Sequence, residues 1–76
     1  MSVIEAAKSA IEAAIPGAEV HVSGAGGHFE IVVVSEIFAG KRELAKQRLV
    51  LGAIAPLMAG AEAPIHAVDT LICKTP

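Results

Sequence analysis

Between two runs rich in β-branched residues, Phe29 to Val34 (FEIVVV) and Ile65 to Cys73 (IHAVDTLIC), lies the stretch Lys41 to Met58, long enough for about five helical turns. A strand–helix–strand connection within one sheet closes as a right-handed crossover and makes its two strands parallel. Parallel neighbours begin at the same end of the sheet. His28 stands directly before the first run and His66 is the second residue of the other, so residues far apart in sequence are expected on one rim. Adjacent strands lie about 4.8 Å apart, and both imidazoles reach one centre if the register places them level.

The remaining elements follow from the same periodicities. Ser2 with Glu5 forms a capping-box pattern, and Val3, Ile4, Ala7, Ile11, Ala14 and Ile15 recur at helical spacing until Pro16-Gly17 stops the helix. A strand is expected from Ala18, with Val20 and Val22 alternating with Glu19 and His21. The cluster Gly24 to Gly27 then joins it to the Phe29–Val34 run as a hairpin loop. Ser35 to Gly40 turns the chain, with a short helical turn near Phe38, whose ring is a core plug. In the long helix Leu44, Leu51, Ile54 and Met58, with Val50 and Leu57, supply the apolar stripe; Leu44, Leu51 and Ile54 are assigned to the sheet side, and Lys41, Lys46 and Arg48 to solvent. Pro56 is expected to distort its last turn, and Ala59 to Pro64 is a loop. The order α-β-β-α-β over residues 1–76 is a single α+β domain, a three-stranded mixed sheet with its helices on one face.

Composition excludes several functions. The chain is 54% hydrophobic but has two Phe and no Trp or Tyr, so the core is aliphatic and no aromatic platform for stacking single-stranded nucleic acid is available. The apolar run Val50 to Ala61 is too short to span a bilayer and is interrupted by Gly52 and Pro56, so no membrane association is expected. The N-terminal MSVIEAAK has neither secretory nor transit character. A cytoplasmic or other reducing location is expected, in keeping with a lone cysteine, Cys73, read as a small core residue. The net charge is −2, yet residues 41–48 gather Lys41, Arg42, Lys46 and Arg48 against Glu43 alone. Such a patch suits phosphates or an acidic partner, although a solvated helix face is the plainer reading.

Gly24-Ala25-Gly26-Gly27 matches GxxG, the backbone clamp of KH nucleic-acid domains, but it joins two strands rather than two helices and holds no basic residue. A hairpin turn accounts for it. His28 and His66 each read singly as a polar residue at a strand start; together they read as ligands, because neutral imidazole suits zinc, copper and iron and replaces cysteine on one iron of a two-iron cluster. Two ligands do not complete a site, and the others must come from another molecule, water or a second copy of the chain. His21 is assigned to the surface. The carboxylates are scattered and Ser35 has no evident base, so no catalytic function is expected.

HFEIVVVSEIFAGKRELAKQRLV followed by IHAVDTLICKTP closely resembles the BolA family, with its His-Phe strand start, VVS, Phe-x-Gly turn, polar-basic helix, His-Ala and terminal Thr-Pro. The resemblance spans nearly the whole chain. It implies a class II KH-like arrangement without the GxxG clamp, and a partner, a monothiol glutaredoxin, with which BolA-like proteins share a bridged [2Fe-2S] cluster. The glutaredoxin cysteine and a glutathione thiol supply two ligands there. The BolA-like chain supplies the histidine of the His-Ala segment, here His66, and a residue from the loop between the first strands, here His28, to which Gly24–Gly27 would give mobility. Alone, the chain is expected to be a monomer or weak homodimer. Lys46-Gln47 stands where many members carry Arg-His, a variant resembling the acid-stress branch of bacterial BolA-like proteins. The family's association with DNA-binding regulation of stress or morphology genes is the alternative, with Lys41, Arg42, Lys46 and Arg48 as the contacts; an adaptor that binds glutaredoxin without a cluster is a third reading.

Overall fold

The computed structural model describes residues 2–76. The chain runs α1 (Val3–Ala14), β1 (Glu19–Ala25), β2 (His28–Val34), a 3-10 turn (Glu36–Phe38), α2 (Glu43–Met58) and β3 (Ala67–Lys74). In the sheet order β1-β2-β3, β1 pairs antiparallel with β2 and β2 pairs parallel with β3, the arrangement required by the crossover.

Side-chain alternation along β2 sets the two faces. Phe29, Ile31 and Val33 are buried, and their cross-strand partners continue the same layer: Val22 and Leu71 beside Ile31, Val20 and Cys73 beside Val33. Both helices cover this face, α1 against β1 and α2, α2 also against β3. Ala7, Ile11 and Ile15 from α1, Val50 and Ile54 from α2, and the plugs Phe38 and Ile65 complete an aliphatic core. The opposite face carries the polar alternates, including His21, which is exposed and whose Nε2 lies 3.1 Å from a Glu19 carboxylate oxygen.

Local chemistry explains the element ends. The Ser2 hydroxyl accepts from the Glu5 N–H at 3.1 Å and caps α1, which closes where the Ile15 N–H donates to the Ile11 carbonyl. The Ser35 hydroxyl accepts from the Ile37 N–H and caps the 3-10 turn that delivers Phe38 to the core.

The rotation of α2 departs from the expected stripe. Leu44, assigned to the sheet side, is 59% exposed, and Leu51 is only half-buried, whereas Val50 and Ile54 are fully buried. At about 100° per residue, Leu44 lies about 120° around the axis from Val50, outside the packed stripe, while Lys46 lies only about 40° away. Lys46, assigned to solvent, is accordingly half-covered, with its ammonium 3.7 Å from Glu43. Lys41 and Arg48 are exposed as expected, and α2 starts at Glu43 rather than Lys41. The helix passes through Pro56 to Met58, with both Pro56 and Gly52, the residue whose carbonyl loses a donor, on the exposed side.

Candidate metal-ligand rim

The hairpin is tighter than a glycine loop. Gly24 and Ala25 belong to β1, pairing with Phe29 and His28, so the turn contains only Gly26 and Gly27. Their φ angles of 64° and 82° are both positive, the requirement of a type I′ turn, whose twist matches the strands it joins. His28 is therefore held in the ladder on both sides, by Ala25 and by Ala67, and the connection before it is a two-residue turn rather than the four-residue loop Gly24–Gly27.

β3 begins at Ala67, two residues later than its sequence run, and His66 directly precedes it. The Gly27 carbonyl accepts from both the His66 N–H at 2.8 Å and the Ala67 N–H at 3.0 Å, fastening β3 to the turn. Ala67 is the register partner of His28, so His28 and His66 share the rim anticipated from the crossover. The His66 imidazole lies against the Gly27 α-carbon so closely that a β-carbon there would overlap the ring. Both histidines are exposed.

A third side chain enters this rim. Phe29 pairs with Val68, but Glu30 pairs with Thr70, leaving Asp69 as the extra residue of a bulge in β3. Its Oδ1 lies 3.3 Å from His28 Nδ1. A carboxylate only accepts, so a hydrogen bond here requires the proton on Nδ1, and in a neutral ring that leaves the lone pair on Nε2. Sequence reasoning missed Asp69, although aspartate is depleted in strands and its place inside VDT was a signal of a broken ladder.

The thiol is elsewhere. Cys73 is buried and pairs with Val33, near the end of β2 opposite His28. Burial pushes its thiol above the ordinary value, the Glu43 carboxylate adds to this, and Lys46 opposes it. A protonated core thiol is a poor metal ligand. Among the described residues no group of three or more His, Cys, Asp and Glu side chains is arranged to hold a metal ion. The rim thus presents imidazole donors but no complete coordination sphere.

The basic segment occupies a different surface. Exposed Lys41, Arg42 and Arg48 border a groove of about 470 Å³ floored by Leu44, Ala45 and Leu49. Lys46 does not line the groove and is half-covered, with its ammonium beside Glu43.

The family model described as BolA-like protein matches residues 3–76. The chain belongs to the BolA family. It is similar to the acid stress protein IbaG of Escherichia coli, with 48% identity over 52 residues, covering 67% of this BolA-like chain and 58% of that protein. A BolA homologue from Coxiella burnetii superposes with a TM-score of 0.79 at 34% identity, covering 100% of this chain and 94% of that one. Yeast Fra2 superposes with a TM-score of 0.66 at 32% identity, covering 99% and 78%. No helix of the BolA-like chain among the described residues is long and apolar enough to cross a membrane.

Proposed function

We propose that this chain is an accessory protein of iron–sulfur handling that binds a monothiol glutaredoxin and contributes His66 and His28 to a bridged [2Fe-2S] cluster. The observation that carries this reading is the pair of exposed imidazoles on one rim, with the only thiol buried at the other end of the sheet. The donor set fits a shared group and not a self-contained one: this chain offers nitrogen ligands, and the partner cysteine and glutathione supply sulfur. When bound, the cluster provides an iron with mixed nitrogen and sulfur ligation, whose potential exceeds that of all-thiolate ligation. The chain's own part is placement. The Gly27 carbonyl fixes the backbone of His66, and the ladder fixes that of His28. The role is accessory rather than catalytic, in a reducing compartment that keeps the partner thiols available, and a link to stress response is drawn from the IbaG name. Alone, the chain would be a monomer or weak homodimer.

The test is titration with a monothiol glutaredoxin and glutathione under cluster reconstitution. A heterodimer should form whose visible spectrum and reduction potential differ from those of the glutaredoxin homodimer. His66→Ala should abolish the difference and His28→Ala should reduce it. An unchanged spectrum in the double variant removes both histidines from the ligand set.

A second reading, a DNA-binding regulator, has the exposed Lys41, Arg42 and Arg48 in its favour, none of which has an ion-pair partner among the described residues. The leucine floor between them suits a protein partner better than a phosphate backbone. If three cations met three phosphates, log affinity for duplex DNA would fall against log salt with a slope of about −3. We expect no submicromolar duplex binding at physiological salt; tight binding with that slope, lost in the Lys41, Arg42 and Arg48 alanine variant, would put the regulator first.

A further inference from the structure

We propose that Asp69 is a positioning residue that holds His28 in its Nδ1–H tautomer and so directs Nε2 outward as the free nitrogen. Its value as a metal-facing nitrogen rests on the cluster reading above; the tautomer itself does not.

Three observations converge on Asp69. It is the unpaired residue of the β3 bulge, and a bulge re-aims the side chain it carries. Its carboxylate oxygen is 3.3 Å from His28 Nδ1, across a strand boundary and 41 positions along the chain. The bulge lies one pair beyond the His28–Ala67 position, so the displaced carboxylate is brought back to the rim instead of standing level with Glu30. Without the bulge, Asp69 would pair with Glu30, setting like charges side by side, which destabilises a sheet. The irregularity therefore separates two carboxylates and gives one of them a donor.

The chemistry is that of an outer-shell carboxylate. An imidazole has two nitrogens, and the hydrogen bond made by one decides which carries the proton. A carboxylate on Nδ1–H fixes the tautomer, limits ring rotation and raises the basicity of Nε2, and loss of such a partner typically costs about 10–100-fold in metal affinity. Among the described residues His66 has no side-chain hydrogen bond of this kind, and its ring instead lies against Gly27. The two imidazoles are thus oriented by different means, one by hydrogen bonding and one by packing.

The experiment begins with the full chain free of metal. Long-range nitrogen–proton correlation spectra of the labelled protein at about pH 8, where histidine is ordinarily neutral, report the tautomer of each ring. His28 should show a proton-bearing Nδ1 and a pyridine-like Nε2. Asp69→Ala should move it to the Nε2–H form that an unrestrained histidine favours, whereas Asp69→Asn, which retains an acceptor oxygen, should keep the Nδ1–H form. A wild-type His28 in the Nε2–H form, or a tautomer unaltered by Asp69→Ala, overturns the proposal. The second arm uses the complex with glutaredoxin and glutathione, where Asp69→Ala should lower cluster retention by about 10–100-fold relative to wild type. If the wild-type complex shows no histidine nitrogen coupled to iron, the cluster reading fails while the metal-free spectra still decide the role of Asp69.

Discussion

Phe38→Ala should remove about 3–5 kcal/mol of this protein's stability, while Leu44→Ala should be nearly silent. Phe38 is 1% exposed and reaches the core from a single 3-10 turn, so its removal leaves a ring-sized void that the short flanking segments fill poorly. Such truncations cost about 3–5 kcal/mol. A chain of 76 residues has a total stability on the order of 4–11 kcal/mol. One side chain therefore controls a large fraction of the whole. Leu44 has the same apolar character but is 59% exposed, and a surface change of this kind stays within about 0.5 kcal/mol. Urea unfolding followed by far-ultraviolet circular dichroism measures both. A Leu44→Ala loss comparable to that of Phe38→Ala would mean that α2 is rotated by about a third of a turn from the packing described.

The contrast between these residues shows where the sequence was readable. Phe38 is the one aromatic of the Ser35–Gly40 turn, and its ring is the largest apolar group there, so burial was the best use for it. The topology was readable because a crossover has one favoured hand and makes its strands parallel, which alone puts His28 and His66 on one rim. The rotation of α2 was less accessible. Leu44, Leu49, Leu51, Ile54 and Leu57 spread over about 220° of the helix circumference, and so wide an apolar arc does not declare which of its residues packs inward. Here the covering sheet and α1 decide, and they select Val50 and Ile54. Asp69 was hidden by a different limit. Ladder register is a property of two strands at once, and the extra residue opposite Glu30 appears only when both are paired. The rim was thus legible in its histidines, and Asp69 only as a residue ill-suited to a strand, not as a neighbour of His28.

Gly27→Ala should separate the backbone of the rim from its chemistry, with Gly26→Ala as the internal reference. Both glycines have positive φ, so alanine at either position costs about 1–2 kcal/mol in backbone strain. They differ in what a methyl group meets. Nothing lies within 4 Å of a β-carbon at Gly26, while one at Gly27 would run into the His66 imidazole. The His66 N–H remains tied to the Gly27 carbonyl, so the ring, rather than the chain, has to give way. Forcing the ring about 30° off a staggered rotamer adds on the order of 1 kcal/mol. In a His66→Ala background that increment should vanish, and Gly27→Ala should cost no more than Gly26→Ala. The coupling read from this double-mutant cycle isolates the ring contact from the turn. Equal costs for the two glycine variants in the presence of His66 would show that the ring does not rest on Gly27. The functional consequence should exceed the energetic one. Gly27→Ala leaves a folded hairpin with His28 still in its ladder, but it turns the His66 nitrogens away from their position on the rim. If the cluster reading is right, this variant should reproduce most of the spectral loss of His66→Ala with glutaredoxin, although both histidines are still present. Gly26→Ala, at similar backbone cost, should keep the mixed-ligand spectrum.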